Sequence, residues 1–133
     1  MAAAIGVELM PTQITYFTSS ARDETASSDI AMNHRGKGVS LHLDITAASG
    51  SSPTLDVKLQ GYDELGADYF DIPGAVFAQA TGTGTDELVL YPGVAETSNV
   101  SVSDVLPRVS RAVATIGGSS PSFTFTLGGS LIE

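Results

Sequence analysis

Between Val39 and Ala47 the chain alternates without a break: Val39, Leu41, Leu43, Ile45 and Ala47 against Ser40, His42, Asp44 and Thr46. A period of two puts the first set on a buried face and the second toward solvent, as in a half-buried strand. The pattern returns in Leu55, Val57 and Leu59 against Asp56, Lys58 and Gln60, and in Phe123, Phe125 and Leu127. Shorter runs rich in β-branched and aromatic residues lie at 13–19, 69–72, 75–78, 87–91 and 108–116, with Val100 and Val102 alternating with serines. Gly, Pro, Ser and Asp clusters separate them, among them DELGAD, Pro73-Gly74, ATGTGT and Pro92-Gly93. No stretch carries a helical stripe. The pattern predicts an all-β protein, a single antiparallel β-sandwich (jelly-roll or Ig-like) of about eight to ten short strands.

Two segments stand outside the alternation. Residues 1–12 are expected to form an N-terminal arm, because Ile5, Val7, Leu9 and Met10 hold no sustained period and Pro11 closes the segment. Residues 13–133 then form the β-sandwich domain. Ser20 to Gly38 is the most polar stretch and predicts a long loop with one short strand near Ile30–Asn33.

One sequence occurs twice. GSSPTLDVKLQG at 50–61 and GSSPSFTFTLGG at 118–129 share Gly, Ser, Ser, Pro, Leu and the last Gly at equivalent places. Each Gly-Ser-Ser-Pro predicts a hairpin corner, and each strand after it feeds an apolar row into the core. Duplication and local convergence both account for the repeat.

The 133 residues, 42% of them hydrophobic, fit one domain with a real core. There is no cysteine, hence no disulfide framework, which fits a cytosolic folding environment. No apolar run approaches the roughly 20 residues of a helical membrane span. MAAAIGVELM lacks a basic start and a clear cleavage site, so no signal peptide is expected. The net charge of −9, from 15 acids and 6 bases, is dispersed. It opposes nucleic acid and anionic membranes and favours solubility at high copy number.

Motifs for chemistry are absent or incomplete. His34 and His42 sit on different predicted elements with no third ligand nearby, so no metal site is expected. The acids of YDELGADYFD lack the ligand spacing of a calcium loop. GGSSP is not a nucleophile elbow, and GTGTD lacks the lysine of a phosphate loop. No catalytic residue and no cofactor are expected. Arg35 and Lys37, beside His34, form a small basic loop suited to an acidic protein partner. Arg111 interrupts an apolar strand, which suggests an ion pair with nearby Asp104 or a subunit contact. Tyr62, Tyr69 and Phe70 are the aromatics a sugar-binding face would need.

Several segments in order carry a resemblance: RGKGVSLHLDITAASGSSPTLDVKLQGYD, then YFDIPGAVFAQATGTGTDELVLYPGVAE, then VSVSDVLPRVSRAVATIGGSSPSFTFTLGGSLI. Over roughly Arg35 to Ile132 the chain resembles a family of small head-associated structural proteins of tailed bacteriophages and prophages. The marks are Gly36, Gly38, Val39, Leu43 and Asp44, LQGYD at 59–63, YPG at 91–93 and SDVLPR at 103–108. The chain departs from the pattern at Val109-Ser110, where an aromatic is expected, and at LGADYF, where a Gly-Lys-Trp/Tyr-like turn is expected.

The resemblance implies a non-enzymatic capsid decoration (cement) protein. It would be made in the bacterial host cytoplasm and carried on the virion, at the surface of the phage head. Its partners would be the major capsid protein and copies of itself, a homo-oligomer with a trimer favoured. The expected contacts are Ile5, Val7, Leu9 and Met10 of the arm, Arg35 and Lys37 of the basic loop, and Arg111. The alternatives are a tail, neck or fibre β-sandwich module and a virion-displayed carbohydrate-binding module that holds glycans.

Overall fold

The structure, a computed structural model, describes residues 12–133. Among them there are eight strands and no helix. They are β1 (Gln13–Arg22), β2 (Ala26–Ser27), β3 (Ala31–Met32), β4 (Gly38–Asp63), β5 (Asp68–Val76), β6 (Gly84–Leu90), β7 (Ser101–Val102) and β8 (Val109–Ile132). Hydrogen bonds join all eight into one open sheet, with the path β1-β8-β4-β6-β7; β2 and β3 also pair with β8, and β5 with β4. Every pairing is antiparallel except β6 with β7, which run parallel.

The strands are not all short. β4 has 26 residues and β8 has 24, and they pair from Gly38↔Ile132 to Gly61↔Ser110. This corrects the expectation of two hairpin corners. Neither Gly-Ser-Ser-Pro reverses its own strand; the two face each other in the middle of one ribbon, with Ser51 opposite Ser119. Register shifts on either side of this pair mark β-bulges, which bend the strands.

The two copies adopt the same backbone. Gly50 and Gly118 have φ of 113° and 112°, and Ser52 and Ser120 have 49° and 48°. Their packing is reciprocal. A Cβ on Gly50 would lie 2.8 Å from Pro121 Cα, and a Cβ on Gly118 would lie 2.9 Å from Pro53 Cα. The repeat is thus a pair of matching half-joints about a local two-fold axis. Each glycine supplies a left-handed φ and the room its counterpart's Ser-Pro needs.

The ribbon folds over at this joint. Its two far parts meet at the opposite end of the molecule. The Lys37 carbonyl, next to the start of β4, accepts from Leu106 N–H, while a Cβ on Gly61, near the end of β4, would lie 2.8 Å from Pro107 Cγ. Apolar rows from both halves therefore share one core: Val39, Leu41, Leu43 and Ile45 with Leu55, Val57, Leu59, Phe123, Phe125 and Leu127. Ala47 is corrected to an exposed position, because a bulge between Ile45 and Ala47 shifts the alternation by one.

Two further expectations change and one holds. The 20–38 loop gives up its first residues to β1 and holds β2 as well as the short strand β3, both laid against β8. The runs at 69–72 and 75–78 are joined as β5 through Pro73-Gly74, where the pairing to β4 is irregular. DELGAD does turn the chain, bringing Asp63 opposite Asp68.

Candidate interaction surface

The end of the molecule opposite the bend gathers segments far apart in sequence. Thr12 accepts a hydrogen bond from Leu131 N–H at 2.7 Å, so the chain before β1 enters here. Lys37 N–H donates to the Ile132 carbonyl at 2.7 Å, and Leu106 N–H donates to the Lys37 carbonyl at 2.9 Å. Thr12, the basic loop, the end of β8 and the segment before β8 thus adjoin one another. Ile5, Val7, Leu9 and Met10 lie outside the described residues.

Asn33 organises the basic loop. It is buried, and its side chain is fully used: the amide donates to the carbonyls of Gly36 and Leu106 at 2.7 and 3.2 Å, and Oδ1 accepts from Gly36 and Arg35 N–H at 2.8 and 3.3 Å. An Asn at a turn start mimics a backbone turn, which is why this polar stretch can be ordered without a helix. Arg35 is held by an ion pair to Glu133. Lys37 is exposed. Arg108 lies 3.9 Å from Glu64 of the DELGAD turn, with both side chains largely in solvent.

At this end the buried core lies beneath partly exposed side chains. Gly61 faces the core, and the Phe70 ring lies over it beside Pro107, where a Cβ on Gly61 would collide with both. Phe70 remains 46% exposed, Val105 is 55% exposed and Leu65, at the tip of the turn, is 99% exposed. Sequence reasoning singled out Phe70 only as an aromatic for a sugar-binding face, and Val105 and Leu65 not at all. Phe70 was within reach, since the DELGAD turn sets Asp63 opposite Asp68 and so Gly61 opposite Phe70.

Arg111 belongs to a different surface, the outward face of β8, β4 and β5. Its Nε donates to Gln60 Oε1 at 2.8 Å, and its guanidinium lies 3.5 Å from the centroid of the Tyr69 ring. Gln60 donates in turn to Asp71 at 2.9 Å, and Lys58 donates to the same carboxylate at 3.1 Å. The Gln60 and Lys58 donors together hold the Asp71 carboxyl below its ordinary range. The expected pairing of Arg111 with Asp104 is replaced by this row, and Asp104 instead accepts from Val105 N–H. Tyr62 and Tyr69 share the face as cross-strand partners, with ring centroids 4.9 Å apart. Phe70 points to the opposite side. With Arg111 covering Tyr69, the row works as a latch that ties three strands together.

Elsewhere on the sheet, a shallow concavity of about 600 Å³ has Gly128, Gly129, Ser40 and Ser130 in its lining, with His42 opposite Glu87. Inside the fold, Tyr16 of β1 shares a 2.7 Å hydrogen bond with the fully buried Ser110 of β8. Burial pushes the Tyr16 hydroxyl up to about 12, against the lowering effect of that bond.

No family model, curated protein or solved structure matches this chain.

Proposed function

We propose that this is a non-enzymatic structural protein of a phage virion, a capsid decoration protein that binds the outside of the head and stabilises the shell. The carrying observation is the convergence at one end of Thr12, the Asn33-organised basic loop and the half-exposed Phe70 and Val105. In this reading the folded β4–β8 ribbon is a β-sandwich of the jelly-roll or Ig-like kind, supported by the single core shared across the bend. Such a body is a rigid plug with one contact end. Repeated over many lattice sites, modest contacts add up through multivalency.

The major capsid protein is the proposed partner, met by the arm, Arg35 and Lys37, with Arg111 in a supporting role through its latch. Self-association in a closed ring, a trimer above all, suits local threefold positions of a head.

The test is co-sedimentation of the purified protein with expanded heads lacking it, beside unexpanded proheads and tails. Saturable binding to expanded heads alone is the expected result. Binding to tails, or to no particle, overturns the decoration role and moves the assignment to a tail, neck or fibre module.

A further inference from the structure

The outward face of β1, β8, β4 and β6 is hollow, and the hollow has a lining of one chemical kind. Thr15, Gly128, His42 and Glu87 stand in register across the four strands, and Gln13, Ser130 and Ser40 form the row beside them. Their chain neighbours Ile14, Leu41, Leu43, Leu88 and Leu127 lie in the core, so these residues face away from it. Gly128 leaves the middle of its row without a side chain, between Thr15 on one strand and His42 on the other. The floor is therefore backbone, flanked by strands about 10 Å apart, two strand spacings. Register shifts in β1 between Thr15 and Phe17 and between Phe17 and Ser20 mark bulges, and Thr18 and Ser19 of that stretch complete the wall. The volume of about 600 Å³ is that of a small-molecule site.

The lining selects the ligand. Six of its residues carry hydroxyls: Thr15, Thr18, Ser19, Ser40, Thr126 and Ser130. A hydroxyl both donates and accepts and turns to suit its partner, so a row of hydroxyls matches a ligand that is itself rich in hydroxyls. Gln13 donates to Ser130 Oγ at 3.0 Å, which leaves the Ser130 proton to donate outward. Glu87 can accept from two adjacent hydroxyls, and His42 supplies a flat ring beside it. Among the described residues no lysine or arginine lines the hollow, and the net charge of −9 repels anions. An apolar ligand would strip water from the hydroxyls without replacing its hydrogen bonds. The tyrosines expected for a sugar-binding face are engaged elsewhere, with Arg111 over Tyr69 and Tyr62 against the same ring.

We propose that this hollow binds a short neutral saccharide, held by hydrogen bonds from Thr15, Ser40, Glu87 and Ser130 and flanked by His42. The site is a property of the free protein, beyond the virion role; on a particle, many copies would multiply a weak affinity.

The test is a titration of the ¹⁵N-labelled full chain with neutral trisaccharides of glucose, galactose, mannose and N-acetylglucosamine. At least one is expected to shift the amide signals of Thr15, Ser40, His42, Gly128 and Ser130 saturably. A Kd of about 1 mM is expected for so open a site. It should be unchanged in about 0.5 M salt, because a neutral ligand gains nothing from charge attraction. Thr15→Val, at an exposed position, should weaken binding about fivefold, the worth of one hydrogen bond. Glu87→Ala, also exposed, removes charge-assisted bonds and should weaken it more than about tenfold. Lys58→Ala, on the opposite latch, should leave binding unchanged. The remaining amide signals of each variant should keep their positions, which separates lost contacts from lost folding.

Shifts with none of the sugars, or shifts confined to the Tyr62–Tyr69 face, overturn the proposal. So does binding that survives Thr15→Val and Glu87→Ala together. Equal shifts from inorganic phosphate also overturn it, by showing that the hollow takes anions. Head binding without sugar binding defeats this inference and keeps the virion role. Sugar binding without head binding does the reverse.

Discussion

The two ends of the molecule solve opposite problems. At the bend, two copies of Gly-Ser-Ser-Pro fill each other's space, so the joint is complete within one chain. At the far end, loops and strand ends meet but leave Phe70, Val105 and Leu65 exposed. The contrast teaches where sequence change is tolerated. A self-complementary joint has no slack, because backbone faces backbone. An end closed by side chains at a turn can change at small cost to folding and large cost to contacts.

The largest effect is expected at the bend. Gly118→Ala sets a side chain against the Ser52 carbonyl, 2.7 Å away, at a φ of 112°. Strain and clash together should cost at least about 3 kcal/mol, measured by urea unfolding, and Gly50→Ala should match it. Unequal losses would break the two-fold description of the joint.

Next comes the pair that ties β1 to β8. Tyr16 keeps its proton in the folded state up to about 12 and loses it near 10 when unfolded. The folded state therefore holds more protons between those values, and stability falls as pH rises through that window. The loss should approach roughly 2–3 kcal/mol by the top of the window. Denaturant melts from pH 9 to 12 should show this fall in the parent and a smaller one in Tyr16→Phe.

Asn33→Ala leaves buried carbonyls and amides of the basic loop without partners and should cost about 2 kcal/mol by thermal or urea melts. It should also speed hydrogen exchange at Gly36 and Leu106. A silent result would mean that the open end does not depend on the Asn33 bonds. Ser52→Gly relieves a left-handed non-glycine residue and should change stability by no more than about 1 kcal/mol, as a gain. The smallest effect belongs to the open end, where Val105→Ser should fall within about 0.5 kcal/mol of the parent.

Much of the strand pattern was legible because burial on one face imposes a period of two. Leu41, Leu43, Leu55, Val57, Leu59, Phe123, Phe125 and Leu127 all lie in the core where alternation puts them. The DELGAD turn was legible from its residues. Ala47 was misplaced because a bulge changes the phase without any mark in the hydrophobic pattern. The parallel β6–β7 contact was equally hidden, since two residues carry no periodicity. At the candidate surface, Arg35 and Lys37 stood out by charge, whereas Asn33 and Phe70 gain their roles from what faces them. The Tyr16–Ser110 bond joins residues 94 apart in sequence, which no local pattern reveals.

By itself, then, the sequence determined the β class, the apolar rows and the recurrence of one twelve-residue unit, because these depend on side-chain chemistry and local backbone preference. Only the tertiary structure decided what the repeat does. Gly-Ser-Ser-Pro is compatible with a hairpin turn and with a bulged joint. The choice rests on whether a partner strand lies alongside with matching gaps. Here the partner is the other copy, and its Ser-Pro fills the space each glycine leaves, so the chain bends as a pair and does not turn singly.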